Sequence, residues 1–287
     1  MILVTGATGQ VGRPLVEALV SKGHAVRAVV EPGVTSPWSV DGSLDGSLAG
    51  RVDVVRADFD DVDAIERAAM GADRIFMLVP PGERQVEWQR TIVHAARQAD
   101  LVVKLSAFDS RADSRLAMGR WHHEGEEALE ASGVPHVVLR PQYFFQNLLH
   151  DEASLRAGIL RTFIPPGRAV GMVDAHDVAA VAAAVLDGAG PMGGVLVPTG
   201  PAAITTRDVA AAVAAVTGVE VRELYLPPDQ AMAALLAMGR PQWHADDTVE
   251  ICQTASAMVN DCVPALVGRP ARDLTTVVAQ RLTHPVL

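Results

Sequence analysis

The chain contains 287 residues, of which 49% are hydrophobic and 20% are charged. This length suits one large or two modest globular domains with a substantial hydrophobic core. The net charge of −10 disfavours nucleic acid and anionic membranes, so we expect neither of them as a partner.

The two cysteines, Cys252 and Cys262, lie ten positions apart with no histidine or cysteine beside them, which matches no zinc-binding pattern. A disulfide between them is one possibility, but we favour two buried thiols in a cytosolic protein. Strand-like residues already begin at Ile2, so no leader peptide is expected. No apolar stretch is long enough to span a bilayer, and no metal site is predicted.

Short apolar runs alternate with amphipathic runs through the first half of the chain. Buried strands are predicted at 2–5, 24–31, 52–58, 74–80, 101–107 and 136–141. Helices are predicted at 12–22, 62–70, 84–99 and 120–132. Strands that alternate with helices pair in parallel through right-handed crossovers, so the pattern predicts an α/β fold with a doubly wound parallel sheet.

The alternation becomes less regular after Pro141. The further predicted elements are a helical stretch at 144–158, a strand and a helix within 171–186, a strand at 193–200, a helix at 205–218 capped by Thr205 or Thr206, and mostly helical structure at 225–287. Asp174 and Asp177 flank His176 at a predicted helix start, where we expect helix capping rather than acid–base chemistry. The Gly/Ser/Asp-rich stretch 31–50 is predicted to be a mobile loop.

Three glycines, Gly6, Gly9 and Gly12, follow the first predicted strand as G-x-x-G-x-x-G and open the first predicted helix. Glycine permits close backbone approach to a phosphate, and a helix N-terminus supplies free N–H groups and a positive dipole end. This context predicts a dinucleotide site rather than a plain tight turn. The cofactor-binding candidates around this turn and at later strand ends are Gly6, Thr8, Gly9, Gln10, Val11, Gly12, Leu78, Val79, Pro80, Ser106 and Tyr143.

The second predicted strand ends at Glu31, 19 positions after Gly12. A carboxylate there accepts hydrogen bonds from the adenosine ribose hydroxyls and repels a 2′-phosphate, for which an arginine would be suited. Arg27 lies within the strand and is a poor substitute. We therefore expect NAD(H) to be favoured over NADP(H), unless Glu31 simply faces solvent. Asp58 is expected to accept from the adenine amino group, and Phe59 to pack on the adenine ring.

Beyond the glycine turn, a series of motifs resembles the NmrA-like type of atypical short-chain dehydrogenase/reductases. These motifs are ADFDD, FMLVPP, VKLSAF, SGVPHVVLRPQYFFQNLL, VDAHDVAAV, TGPAAITTRDVAAAV and VGRPARDL. The resemblance covers nearly the whole chain and implies a Rossmann domain, a small C-terminal domain and an active cleft between them. Family members include NAD(P)H-dependent quinone reductases, reductases of aromatic substrates and nucleotide-binding regulators without turnover. Many of them carry arginine where Glu31 stands, a departure that strengthens the NAD expectation.

The predicted elements and the resemblance together suggest two domains. We expect a nucleotide-binding Rossmann domain at 1–150, to which residues 171–197 return. Residues 151–170 and 198–287 are expected to form a smaller, mostly helical domain that binds substrate at the carboxyl edge of the sheet. The sequence leaves open whether the protein forms a homodimer.

The usual proton relay of the wider superfamily, Tyr-x-x-x-Lys, is absent from this chain. The two tyrosines are Tyr143 and Tyr225, and neither has a lysine four positions later. Reduction then needs either another proton source or an acceptor such as a quinone. Hydride transfer to a quinone gives a delocalised hydroquinone anion, which water can protonate.

Four residues are candidates for catalysis near the expected nicotinamide position: Lys104, Ser106, His122 and Tyr143. Lys104 and Ser106 share one face of the fifth predicted strand. Ser106 would bond a substrate oxygen or cap local backbone, and Lys104 would be a functional cation or a structural ion pair. His122, or its neighbour His123, would donate a proton or lie on the helix surface. Tyr143 would line the nicotinamide pocket.

Three functions therefore stay open. The favoured one is an NAD(P)H-dependent oxidoreductase that reduces a quinone or ketone of an aromatic small molecule, with an aromatic polyketide as one substrate class. The second is a non-catalytic dinucleotide sensor that binds a protein partner. The third is a nucleotide-dependent enzyme whose net reaction is dehydration or rearrangement of a polycyclic phenol.

Overall fold

The computed structural model describes residues 1–38 and 51–283. Its strands are β1 (Ile2–Val4), β2 (Val26–Val30), β3 (Val52–Arg56), β4 (Arg74–Met77), β5 (Leu101–Leu105), β6 (His136–Leu139), β7 (Ile159–Thr162), β8 (Val170–Gly171), β9 (Gly194–Leu196), β10 (Ala203–Ile204) and β11 (Arg222–Tyr225). Its helices are α1 (Gly12–Ser21), α2 (Val62–Ala69), α3 (Gln85–Ala95), α4 (Ala117–Ser132), α5 (Gln146–Leu149), α6 (Glu152–Arg156), α7 (Ala175–Leu186), α8 (Thr206–Thr217), α9 (Pro228–Ala237), α10 (Gln242–Thr254), α11 (Cys262–Val267) and α12 (Leu274–Thr283).

Within these ranges, seven strands form one parallel sheet in the order β3-β2-β1-β4-β5-β6-β9. The strand order reverses at β1, because β2 and β3 extend to one side of it and β4 to the other. In open parallel sheets such a reversal leaves a crevice at the carboxyl ends of the two strands, where ligands bind. The predicted α/β fold with a doubly wound parallel sheet is confirmed.

One face of this sheet is covered by α2, α3 and α4. Its core joins apolar residues of the strands to apolar residues of the three helices, among them Leu3, Ile75, Val102, Ile65, Ile92 and Leu129. Burial of each such side chain contributes about 1.5–3 kcal/mol. Since each helix returns the chain to the start of a parallel strand, the N-termini of α3 and α4 lie at the carboxyl edge of the sheet.

Chain contacts divide the molecule into two compact units. The first unit contains the large sheet and comprises residues 1–113, 118–140 and 178–197. The second comprises residues 114–117, 141–177 and 198–287. Its own core includes Leu160, Val213 and Val278, and it contains two small sheets, the parallel pair β7–β11 and the antiparallel pair β8–β10.

Two local features differ from the expectations drawn from the sequence. The stretch predicted as helical at 144–158 contains two short helices, α5 and α6, because the Asp151 carboxylate accepts from the Ser154 N–H (3.1 Å) and starts a new helix. Of the loop predicted to be mobile at 31–50, residues 39–50 lie outside the described residues, and the described part buries Ser36 and Trp38.

Other local expectations agree with the structure. Thr205 caps α8 as predicted, in a reciprocal capping box with Asp208. Cys252 is buried as expected, whereas Cys262 is only partly buried, and no disulfide joins these two described residues. In the part of the chain that the structure describes, none of the helices has the length and apolar character needed to cross a membrane.

Candidate active site

The glycine turn lies between the end of β1 and the start of α1, and the end of β4 packs against it. Gly6 has φ +61°, and a Cβ atom there would come within 2.7 Å of Leu78 Cγ. Thr5 joins the two strand ends, because its hydroxyl donates to the Leu78 carbonyl (2.8 Å) and accepts from the Leu78 N–H (2.9 Å). A Cβ atom on Gly12 would lie 2.1 Å from the Gly6 carbonyl oxygen, so the first turn of α1 packs directly on the loop.

The N-terminus of α1 has the chemistry of an anion site. Within the described ranges, the N–H groups of Gln10, Val11 and Gly12 donate to no backbone carbonyl, and Val11 supplies no side-chain cap. The first turn carries no acidic residue, so the positive end of the helix dipole is not offset there. The structure thus places the candidates Gly6 to Gly12 beside Leu78. The candidates Val79 and Pro80 follow Leu78 directly in the chain. This cradle fits the pyrophosphate of a dinucleotide.

At the ends of β2 and β3, the candidate adenosine-binding residues have different surroundings. Glu31 is exposed and immediately follows β2. Arg56, at the end of β3, donates to the Val34 carbonyl (2.9 Å) in the loop after Glu31. Arg27 bonds the Asp53 carboxylate (2.6 Å) and the carbonyls of Ala68 and Met70, so its guanidinium is already occupied.

Asp58 and Phe59 follow β3. Asp58 is exposed and accepts the Asp60 N–H (2.9 Å). Phe59 does not present its ring to an adenine as expected from the sequence. The ring is only 4% exposed and packs in the core against Trp88, with 5.8 Å between ring centroids.

Two of the catalytic candidates, Lys104 and His122, are brought into contact. Lys104 lies on β5 and is completely buried, and its Nζ is 3.1 Å from Nδ1 of His122 on α4. Burial lowers the pKa of Lys104 to about 7; the Glu126 carboxylate opposes this shift and the Arg140 guanidinium adds to it. Burial and the neighbouring Lys104 charge lower the pKa of His122 well below its usual value.

The third candidate, Ser106, contacts Glu126, a residue that reasoning from the sequence missed. Glu126 Oε1 accepts from the hydroxyls of Ser106 and Ser110, the latter at 2.6 Å, and Arg140 binds both carboxylate oxygens. Burial alone would raise the pKa of Glu126, but these hydrogen bonds hold it below its usual value. Glu126 stands four positions after His122 on one helix face, a spacing that could have identified it.

A second residue missed in the sequence is Gln85, at the start of α3. Its side chain is fully buried, and neither its amide nitrogen nor its amide oxygen has a hydrogen-bond partner within residues 1–38 and 51–283. One turn later, Gln89 donates to the Trp121 carbonyl of α4 (3.0 Å). A buried amide without partners destabilises a fold, but at 0% exposure the Gln85 side chain is not open to a ligand in this structure.

Tyr143 belongs to the second unit, whereas Lys104, Ser106 and His122 belong to the first. Its hydroxyl lies 3.9 Å from the Cys252 Sγ atom. Burial, followed by the proximity of Cys252, raises the pKa of Tyr143 well above its usual value. This phenol therefore stays protonated at neutral pH, so it can act as a hydrogen-bond donor.

Known proteins resemble this chain along nearly its whole length. The NmrA-like family matches residues 1–262. The chain is 31% identical over 280 residues to an NAD(P)H azoreductase of Xenophilus azovorans, covering 95% of this chain and 94% of that protein. It is 34% identical over 278 residues to a (4-alkanoyl-5-oxo-2,5-dihydrofuran-3-yl)methyl phosphate reductase of Streptomyces griseus, with the same coverage of 95% and 94%.

A solved structure extends the likeness to three dimensions. The NADPH-dependent quinone oxidoreductase QOR2 of Escherichia coli, in complex with NADPH, superposes with a TM-score of 0.81. It is 26% identical and covers 98% of this chain and 99% of its own. With residues 1–262 matched, from the glycine turn onward, the chain belongs to the NmrA-like family.

Proposed function

We infer that this chain is an NAD(P)H-dependent oxidoreductase that reduces a conjugated acceptor such as a quinone, an azo group or an aromatic ketone. The observation that carries this inference is the glycine cradle at the crevice of the sheet, where Gly12 leaves no room for a side chain and α1 offers unpaired N–H groups. The names of the three relatives, two of which specify NAD(P)H or NADPH, support it.

The three relatives named above suggest the acceptor class. An azo group, a quinone and an unsaturated furanone each contain an electron-poor double bond, and each gains charge on oxygen or nitrogen when hydride is added. When bound, a reduced nicotinamide supplies that hydride. The residues Gly6 to Gly12 and Leu78 to Pro80 would hold the dinucleotide. An aromatic polyketide is one substrate that fits this class.

For the choice between the two nucleotides, we propose that Glu31 disfavours a 2′-phosphate. Its exposed carboxylate lies at the end of β2, where the adenosine ribose binds in this type of fold. Arg56 is the neighbouring cation that could offset this effect, and the NADPH of the Escherichia coli relative favours that alternative. NADH and NADPH are therefore both tested.

The test is a titration of the purified protein with NADH and NADPH, followed by fluorescence of the reduced nicotinamide. A benzoquinone, an azo dye, an aromatic ketone or an unsaturated lactone is then added, and loss of the reduced-nicotinamide absorbance is recorded. Saturable binding and acceptor-dependent oxidation are expected. Failure to bind either nucleotide would overturn the proposal. Tight binding without oxidation across all acceptors would overturn the reductase and favour a dinucleotide sensor.

A further inference from the structure

Resting on the proposed oxidoreductase function, we propose that Lys104 and His122 form a proton-delivery pair, in which Lys104 acts through His122 to protonate the reduced acceptor. The pair takes the place of the missing Tyr-x-x-x-Lys relay. Four features of the structure carry the proposal: the position of His122, the enclosure of Lys104, the direction of the hydrogen bond between them, and the lack of a carboxylate bonded to Lys104.

His122 stands beyond the carboxyl edge of the sheet. Leu129 of α4 packs in the core with Val102 of β5, and one turn earlier Glu126 contacts Ser106 just past the end of β5. His122 lies one further turn toward the N-terminus of α4, about 6 Å farther out along the helix axis. The residue as a whole is half-buried.

Lys104 is 0% exposed and so cannot touch a substrate. Its neighbours across the sheet, Met77 of β4 and Val138 of β6, are apolar. The charged groups that face it are Glu126 from α4 and Arg140 from the end of β6. Any contribution of its ammonium group to chemistry must therefore pass through His122, the group at hydrogen-bond distance.

The hydrogen bond between the two residues has one possible direction when Lys104 is charged. An ammonium group has three donors and no acceptor, so Nζ donates and Nδ1 of His122 accepts. The imidazole is then neutral, and its single proton is on Nε2. Burial and the nearby ammonium keep the pKa of His122 low, so the ring transmits a proton rather than storing one.

The arrangement cannot be explained by stability. Among the ion pairs of the described residues, none joins Lys104 to a carboxylate within 4.0 Å, because Glu126 is bonded to Arg140 and the two serines. A buried charge without a bonded counter-ion destabilises a fold. Burial holds the pKa of Lys104 at about 7, where a general acid is most effective at neutral pH.

The proposed step conserves atoms and electrons. The acceptor gains two electrons and one hydrogen as hydride, while the nicotinamide is oxidised to the pyridinium form. The anionic oxygen or nitrogen of the acceptor takes the Nε2 proton of His122, and Nδ1 takes a proton from Lys104. Lys104 ends as a neutral amine, and solvent restores its proton through the same ring.

The first arm of the test needs no turnover. Lys22 and Lys104 are the two lysines of the chain, so selective ¹³C/¹⁵N labelling of lysine gives two side-chain signals, which the Lys22→Met variant assigns. Lys22 is exposed and pairs with Asp187, so its signal serves as the reference for a lysine outside the core. Lys104 is expected to titrate within about one unit of 7. Titration of Lys104 near 10 would overturn the proposal, because it would not release a proton at neutral pH.

The second arm uses quinones whose hydroquinones range from weakly to strongly basic. In Lys104→Met and His122→Gln, we expect about 100-fold or greater loss of kcat with acceptors that give basic products, and a few-fold loss with electron-poor quinones. His122→Gln keeps a hydrogen-bond acceptor for Lys104 but cannot relay a proton. Lys22→Met and His94→Gln, at exposed side chains, are the matched controls and should behave as the wild type.

The pH profile distinguishes a proton role from a structural one. In the wild type, kcat with a basic-product acceptor should fall as pH rises above about 7, and this limb should vanish in Lys104→Met. Equal losses with all quinones, or persistence of the limb, would overturn the pair while leaving the oxidoreductase standing. Absence of NAD(P)H oxidation by the wild type would instead overturn the proposed function, and with it the catalytic role of the pair.

Discussion

The Nη1 atom of Arg269 lies 2.8 Å from Oδ1 of Asp177, a carboxylate that is completely buried. The other oxygen of Asp177 accepts the backbone N–H of Arg272 (2.6 Å), and the Arg272 guanidinium pairs with buried Asp174. These contacts fasten the segment before α12 to the start of α7 within the second unit. The two aspartates that flank His176 thus have a larger structural role than helix capping alone.

This ionic contact predicts a large loss of stability for Asp177→Asn. The variant removes the partner of the Arg269 guanidinium, which is partly exposed, and replaces one acceptor of a buried network by a donor, so we expect the free energy of unfolding to fall by about 1–3 kcal/mol. Urea denaturation followed by far-UV circular dichroism measures it. Asp229→Asn, at an exposed position on α9, should change stability by less than about 1 kcal/mol. Equal stability of the two variants would contradict the role of the buried pair.

The glycine turn predicts that Gly12→Ala weakens nucleotide binding. The added Cβ would meet the Gly6 carbonyl oxygen at 2.1 Å and the Ala7 Cα at 2.8 Å, and both are backbone atoms that move only if the loop moves. We expect at least about tenfold weaker binding of NADH and NADPH, since misplaced N–H groups lose their hydrogen bonds to phosphate. Gly82→Ala, which meets no atom within 4 Å, is the control and should bind normally in the same fluorescence titration.

The sequence was most informative where one short segment determines the geometry. Gly6, Gly9 and Gly12 lie within a single turn, and local backbone constraints make that turn recognisable. Lys104 and Ser106 were placed on one strand face by simple alternation. The spacing of four residues from His122 marks Glu126, but its contact with Arg140 joins a helix to the end of another strand, and no local pattern encodes that distance.

The surroundings of Phe59 could not be predicted from its position in the sequence. An aromatic residue just after a strand can face either a ligand or the core, and the choice depends on Trp88 of α3, far along the chain. Similarly, β7 and β11 are four-residue strands about sixty residues apart, so their pairing carries no periodic signal of its own.

Nucleotide choice is predicted to depend on Glu31. Replacing it by glutamine removes a negative charge from the site proposed for the ribose, while Arg56 remains beside the same loop. We expect the ratio of the Kd for NADPH to the Kd for NADH to fall by about tenfold. Glu130→Gln, near the far end of α4, is the charge-matched control and should leave the ratio unchanged. An unchanged ratio in Glu31→Gln would show that Glu31 does not contact the ribose.

Lys104→Met is predicted to stabilise the fold at neutral pH, an effect that is independent of turnover. Burial lowers the pKa of Lys104 to about 7 in the folded state, whereas an unfolded chain has a lysine pKa near 10.4. Between these values the unfolded state binds more protons, so stability rises with pH. The full penalty is present below about pH 7 and disappears as pH approaches about 10.4.

The size of the stabilisation expected in Lys104→Met follows from the same difference in pKa. Each pKa unit corresponds to about 1.4 kcal/mol, and replacement of buried charges by apolar side chains stabilises proteins by about 1–4 kcal/mol. Lys104→Met should therefore unfold at higher urea concentration than the wild type at pH 7, and the difference should shrink toward pH 10. Lys22→Met, which removes an exposed lysine bonded to Asp187 (2.9 Å), should change stability by less than about 1 kcal/mol at both pH values. If Lys104→Met were less stable than the wild type at pH 7, with an unchanged dependence on pH, the buried ammonium would be a stabilising contact. Burial of Lys104 next to His122 would then cause no loss of stability, so no function would be needed to explain it.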